Sequence, residues 1–231
     1  NDPELGNSAY NIPHRIQASA YYHVNYGAQK QWQTTVGLIY QAKSGSPYSI
    51  YYYGDVNEDG ANGNDLFFIP TDAQIDKMQF EETNFSANAL TNTVFGEGFT
   101  APKLTADMQR AMMKHWIGND SYMKNHRGEY YKRFADNLAF EHLFDVHFAQ
   151  KYSFKVGGQI NSLELSFDII NVGNMLNKNW GHTYGDGFGV YYSPVNYQRN
   201  GRYQFTGGYA TRNYSDYYSR WRGQLGLRYT F

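Results

Sequence analysis

Three groups of side chains in this sequence have the types and spacing to do chemistry. The first is acidic. Asp55, Asn57 and Asp59 stand at alternate positions, Gly60 follows, and Asp65 lies further on. Alternate oxygen-bearing side chains before a glycine can wrap a hard cation, and the spacing matches positions 1, 3, 5 and 6 of a calcium loop. At position 12, where such a loop needs a bidentate Glu, the chain has Leu66, with Asp65 one residue early. The segment from 55 to 65 is therefore a candidate Ca2+ loop with Asp55, Asn57, Asp59 and Asp65 as ligands. The competing reading is a turn-rich loop whose Asp and Asn side chains bond their own backbone.

The second group is aromatic: the runs Tyr51, Tyr52, Tyr53 and Tyr191, Tyr192, with Trp180 and Tyr184. Ring faces stack on the apolar faces of sugars, so these seven are candidate substrate-binding residues. Aromatic rings at a membrane interface would look the same in sequence. The third group is Asp145 with His147. Two residues apart on a strand, they share a face and could act as orienter and base in a hydrolase. Polar lining of a water-filled lumen is the preferred reading of the two. No G-x-S-x-G, no H-E-x-x-H and no cysteine nucleophile is present. His115 and His126 lack metal-ligand spacing, and His182 with Asp186 reads as loop polarity. The expectation is that the chain is not an enzyme and requires no cofactor.

The elements that would hold these groups are strands. From Arg15 to Tyr26, Ile16, Ala18, Ala20, Tyr22, Val24 and Tyr26 alternate with Arg15, Gln17, Ser19, Tyr21, His23 and Asn25. A short GAQK turn at 27–30 follows. Alternation then resumes, with Trp32, Thr34, Val36, Leu38, Tyr40 and Ala42 on one face. That is a hairpin of two long strands. A second hairpin spans roughly 136–171. It sets Phe140, Phe144, Val146 and Phe148 against Glu141, Asp145, His147 and Lys151, and turns near Gly157 and Gly158. The final segment, SRWRGQLGLRYTF, puts Trp221, Leu225, Leu227, Tyr229 and Phe231 opposite Arg220, Arg222, Gln224, Arg228 and Thr230. Weaker strands are expected at about 187–197 (Phe188, Val190, Tyr192) and about 202–209. The count is about seven. A helix is expected in the long connection between 54 and 131, capped by Thr105, with Met108, Ala111, Met112 and Trp116 at helical spacing and Gly118 as its stop.

Composition narrows the class. Among 231 residues there are 23 Tyr, 15 Phe and 4 Trp, which is 18% aromatic. Interfaces between water and an apolar phase favour such rings. The formal net charge is -1, so no bulk basic field argues for nucleic acid. Mean hydropathy is -0.69, and no apolar run is long enough for a membrane helix. A barrel strand needs only about 10 alternating residues. With no cysteines, a disulfide-stapled scaffold is out. The opening NDPELGNSAY has no Met, basic n-region or apolar h-region. The expectation is a piece of a longer chain. Short turns on one side and a long connection on the other are the asymmetry of an outer-membrane barrel. A Tyr-rich soluble carbohydrate-binding β-sandwich is the rival reading, and an outer-membrane barrel hydrolase is a third.

Three segments carry a resemblance. GDVNEDGANGNDLFFIP at 54–70, SFDIINVGNMLNKNWG at 166–181 and the terminal LGLRYTF are similar to stretches of the SusC family of TonB-dependent transporters. Pro13, His14 and Arg15, and HRGEYYKR at 126–133, fit the same pattern. What the resemblance implies is an all-β, antiparallel transmembrane barrel of about 22 strands, of which residues 1–231 would be the C-terminal seven or so. The segment 54–131 would be a long extracellular loop. The plug domain, and with it the TonB contact, would lie outside this chain. The whole protein would import oligosaccharides or peptides across the outer membrane of a Gram-negative bacterium, under a SusD-like surface lipoprotein. Its other partners would be the N-terminal plug and barrel portion, TonB through the plug, and membrane lipid. The terminal aromatic Phe231 resembles the signal that barrel-assembly machinery reads.

Overall fold

The computed structural model describes residues 5–184, 189–198, 200–207 and 214–231. Among the described residues nine strands run in chain order: β1 (Arg15–Tyr26), β2 (Trp32–Lys43), β3 (Pro47–Tyr53), β4 (Asp136–Asn137), β5 (Glu141–Val156), β6 (Gln159–Ile170), β7 (Val190–Tyr197), β8 (Tyr203–Phe205) and β9 (Arg222–Thr230). Five α-helices accompany them: α1 (Asp72–Lys77), α2 (Ala89–Phe95), α3 (Ala106–Asn119), α4 (Val172–Leu176) and α5 (Asp216–Ser219). The chain divides into two compact units. A sheet unit comprises Ile12–Gly45, Ala139–Asp186 and Tyr214–Phe231. An inserted unit comprises Asn1–Asn11, Ser46–Leu138 and Gly187–Asn213.

The sheet unit is one antiparallel sheet in the order β1-β2-β5-β6-β9. The β1–β2 hairpin has the bounds its alternation predicts, pairing Arg15 with Lys43 and Tyr26 with Trp32. The β5–β6 hairpin turns on Gly157 and Gly158, both at positive φ, where a side chain would be strained. Register aligns the faces. Tyr22, Val36, Phe148, Phe167 and Leu225 form one cross-strand row, and Tyr26, Trp32, Tyr152, Leu163 and Tyr229 form another. Toward the opposite end lie Tyr40 and Phe144, whose rings sit 4.7 Å apart. Aromatic rows thus flank an aliphatic band. This face is open: Leu225 is 72% exposed and Phe148 43%. The other face carries Gln17, His23, Lys43, Asp145, His147, Glu164, Asp168 and Arg228.

Thr34 and Gln150 meet as polar residues on the apolar face. Gln150 accepts hydrogen bonds from Thr34 Oγ1 (2.7 Å) and Tyr26 Oη (3.1 Å), and donates to the Gln33 carbonyl (3.0 Å). These bonds satisfy the Gln150 side-chain amide on a mostly apolar face. On the polar face, a Cβ added to Gly37 would lie 2.5 Å from the Tyr21 ring. Glycine there lets the ring lie across the neighbouring strand.

The ends of this sheet differ. Both tight turns, at 27–31 and 157–158, lie at the end where β9 finishes. The two long connections, from β2 to β5 and from β6 to β9, leave from and return to the other end. The sheet does not close on itself. Among the described residues β1 and β9 are its edges.

Two expectations need correction. The strands near 190–197 and 203–205 are not barrel-type neighbours of the others. They belong to the inserted unit, so the meander has five strands rather than seven. The expected starts and ends at Phe188 and 208–209 lie outside the described residues. The reason is visible in β7, which pairs parallel to β3 and buries Pro194 and Val195. The removed strands lie within one connection and number two, so the assignment of the sheet's two ends is unaffected. The segment 54–131 is also not an open loop with one helix. It holds three α-helices and much of a core, which makes the chain mostly β rather than all-β.

The inserted unit is built around the sheet β4-β3-β7-β8. Strand β3, PYSIYYY, is buried at every position but its last, as expected of a strand covered on both faces. Tyr48, Ile50, Phe67, Ile69, Ile75, Met112, Met113, Ile117 and Phe205 are each at most 2% exposed. Helix α3 starts where predicted, with Thr105 Oγ1 accepting from the Met108 amide (3.3 Å). It runs one residue past Gly118. Gln109 on its buried face is a polar clamp. Its amide donates to the Glu81 carbonyl (2.7 Å) and accepts from the Phe205 amide (2.8 Å).

Candidate functional site

The acidic loop leaves β3 at Gly54, whose φ of +125° only glycine adopts without strain. Asp55 accepts from the amides of Asp59 (3.1 Å) and Gly60 (2.9 Å). Asp59 accepts from the Ala61 amide (2.8 Å) and the side chains of Asn64 (3.0 Å) and Asn57 (3.2 Å). Asp65 closes the loop by accepting from the Val56 amide (2.7 Å). The Ala61 amide, then Asn64 and Asn57, hold the Asp59 carboxyl below its ordinary range. Four oxygen-bearing side chains are thus used on amides. Leu66 pairs with Tyr51 in a β-bridge, so position 12 offers no carboxylate. Among the described residues no three His, Cys, Asp or Glu converge as a metal group. The donor set fits a self-capped turn better than a calcium shell.

The tyrosine runs divide. Tyr51 and Tyr52 are buried, because β3 is the central strand of the inserted unit. Burial pushes the Tyr52 phenol well above its ordinary pKa. Neither can stack on an external ligand. Tyr53 and Tyr191 are 64% and 56% exposed. With Tyr192, Ser193, Pro194, Asn196, Gln204 and Thr206 they line an open groove of about 540 Å³. The parallel pairing sets Tyr53 opposite Asn196. The lining carries no charged side chain, only rings, hydroxyls and amides. Such a surface suits a neutral, hydroxyl- or amide-rich ligand. Asn196, Gln204 and Thr206 fall in the two strands expected at about 187–197 and 202–209, but no motif singled them out as lining residues.

Trp180 and Tyr184 lie elsewhere, in the sheet unit. They line a groove of about 310 Å³ with Phe140, His142, Phe144, Asn179 and His182. Phe144 belongs to the apolar face, so these two aromatics join that face and not the polar one. The motif NVGNMLNKNWG explains their placement. Asn171 adopts a left-handed conformation (φ 57°). Its amide donates to Asp145 Oδ1, and its side chain donates to the carbonyls of Gly181 and Ser219, each at 2.8 Å. A Cβ on Gly181 would fall 1.9 Å from Asn171 Oδ1, so only glycine fits. Asn174 donates to the Trp180 carbonyl (3.1 Å). The residues that looked most family-specific therefore tie off a strand end.

Asp145 and His147 do not form a pair. Asp145 is bound to the Asn171 amide, whereas His147 Nδ1 meets Asp168 Oδ1 at 2.6 Å across the β5–β6 ladder. Asp168 is the partner that spacing along one strand could not reveal. His126 is held by Tyr122, through a ring stack at 3.9 Å and a bond to its carbonyl (2.9 Å). Asp186 lies outside the described residues. Phe231 is exposed and stacks on Tyr229.

No family model, no curated protein and no solved structure matches this chain.

Proposed function

We propose that this chain is the C-terminal portion of an outer-membrane importer of the SusC type, driven by TonB through a plug that lies elsewhere in the protein. One observation carries the reading. The five-stranded meander exposes a band of Leu, Val, Ile and Phe between aromatic rows, while its opposite face holds charged and polar side chains. Water gives no reason to leave such a band open, because burying Leu or Phe is worth about 1.5–3 kcal/mol each. Lipid does. From the row of Ala18 and Tyr40 to that of Tyr26 and Trp32 is eight residues. That is about 27 Å along the strands, or on the order of 20 Å once tilted by ~40°, near the ~25 Å apolar band of a barrel.

Supporting this are the tight turns gathered at one end of the sheet and the long connections that leave from and return to the other. Unpaired edges at β1 and β9 require further strands, since open edges are not tolerated in lipid. The missing strands, the plug, and a SusD-like lipoprotein lid are the partners this reading needs. The cargo is an oligosaccharide or peptide, and the neutral groove at Tyr53, Tyr191 and Asn196 suits an uncharged one. The test is to extract the native protein from membranes washed with high salt and alkali. Release of these residues only by detergent, together with further barrel strands, supports the proposal. Release by the wash as a soluble species would sink it and favour the carbohydrate-binding module.

A further inference from the structure

We infer that the groove between β5 and the segment 173–184 is a lipid site, which holds one acyl chain of a membrane lipid with its headgroup beside Asn179 and His182. The inference rests on the membrane-spanning reading of the sheet, and it deepens that reading by assigning one lipid to a defined cleft. Its floor continues the apolar band. Phe144 stacks on Tyr40, one position beyond the aliphatic rows, and Phe140 follows just past the strand end. Phe140 is 40% exposed, Phe144 39% and Trp180 57%. Hydrocarbon covering the band reaches these rings without a break. The polar members, Asn179 and His182, come from the connection beyond the end of the sheet, where headgroups would stand. No carboxylate or ammonium lines the groove, so a chain enters without stripping water from a charge.

The cleft is also built rather than incidental. Asn171 fixes Gly181 and Ser219, and Asn174 fixes Trp180, so the wall is set by hydrogen bonds before anything binds. A preformed apolar cleft of ~300 Å³ is at the lower end of ligand-site volumes. A sugar is the less suitable occupant. It would sit on the hydrocarbon side of the sheet and lose hydration with few partners to replace it.

The experiment uses Trp32, Trp180 and Trp221 as reporters. The full protein is reconstituted into vesicles of phospholipid with brominated acyl chains, then exchanged into a bromine-free detergent. Each Trp signal is read as the difference between wild type and Trp32→Phe, Trp180→Phe or Trp221→Phe. In vesicles, Trp32, Trp180 and Trp221 should all be quenched. After exchange Trp32 and Trp221 should recover, while Trp180 stays quenched and mass spectrometry finds retained brominated lipid that Phe144→Ala loses. Recovery of Trp180 in step with Trp32 means passing lipid contact only and overturns the site, while the membrane reading stands. Absence of quenching at Trp32 and Trp221 in vesicles overturns both.

Discussion

Tyr48 and Leu225 are both large side chains on strands of one chain, yet their surroundings are opposite. Tyr48 is fully buried in the inserted unit, with its hydroxyl donating to Asp136 (2.9 Å). Leu225 is 72% exposed on the sheet unit, in register with Phe167. The inserted unit has the interior of a water-soluble domain: apolar side chains inward, helices capped, and buried polar groups such as Gln109 paired. Among the described residues, the large apolar side chains of the sheet unit's strands stand open rather than packing into a core. The stability of this unit rests on ladder hydrogen bonds and on whatever medium meets its apolar face. Apolar side chains of the same types thus pack inward in one unit and stand open in the other, and the membrane proposal can be tested on each unit separately.

The largest effect should come from the core of the inserted unit. Phe67 is fully buried and packs on Tyr52 and Trp116, with ring centroids 5.2 and 5.6 Å away. Phe67→Ala should cost about 3–5 kcal/mol, read as a shifted denaturant midpoint in Trp116 emission. A loss below ~1 kcal/mol would mean that this unit is not packed as a soluble core.

Next is the band itself. Leu225→Arg places a cation in the middle row of the apolar face, and in a bilayer this should cost about 2–4 kcal/mol. In water an exposed Leu→Arg change should stay within about 0.5 kcal/mol. Gln224→Arg, one residue away and opposite Asp168, is the control and should be near neutral in either medium. Folding yield into lipid vesicles separates the two cases. Equal yields for both variants would erase the contrast between the units.

What the sequence disclosed follows the same division. Alternation along Arg15–Tyr26, Trp32–Lys43 and the β5–β6 hairpin is a local signal with a period of two, and it survives because both faces of these strands are open. Strands β3 and β4 were missed for different reasons. β3 is buried on both faces, so Tyr48, Ile50 and Tyr52 alternate with Ser49 and Tyr51 without a polar side. β4 is too short to carry a period. The site residues divide likewise. Asn171 and Gly181 stood in a recognised motif, but its geometry shows them tying off a strand rather than meeting a ligand. The His147–Asp168 contact and the Tyr53–Asn196 pairing are made across the sheet, and no spacing along the chain reports them.

Alkaline pH should act on the inserted unit. Burial raises the phenol pKa values of Tyr51, Tyr52, Tyr122 and Tyr203, and Tyr52 most strongly. A phenol kept neutral by the fold binds its proton more tightly folded than unfolded. Stability is therefore complete below the ordinary value of 10.0 and declines as pH rises above it. For Tyr52 the slope should approach about 1.4 kcal/mol per pH unit. Tyr52→Phe should flatten it at little cost at neutral pH, because the hydroxyl makes only a long bond to the Phe68 carbonyl (3.4 Å). An unchanged slope would place the titration elsewhere.

The smallest effect concerns the loop at 55–65, where a cation and a web of amides compete as explanations. The carboxylates of Asp55, Asp59 and Asp65 already accept backbone amides, so the loop should hold its shape without metal. A chelator at neutral pH should leave hydrogen exchange at residues 56–61 unchanged. Acid should not. The Asp59 pKa is depressed, so the contribution of these bonds is present above the ordinary value of 3.8 and is lost as pH falls through the lower, folded one. Faster exchange across 56–61 on acidification, beyond the intrinsic pH dependence, would mark that loss. Asp59→Asn keeps part of the bonding and removes the titration, so it should flatten the response. If the chelator alone speeds exchange at neutral pH, and calcium restores it, the loop holds an ion after all. The inserted unit would then depend on metal as well as on its apolar core.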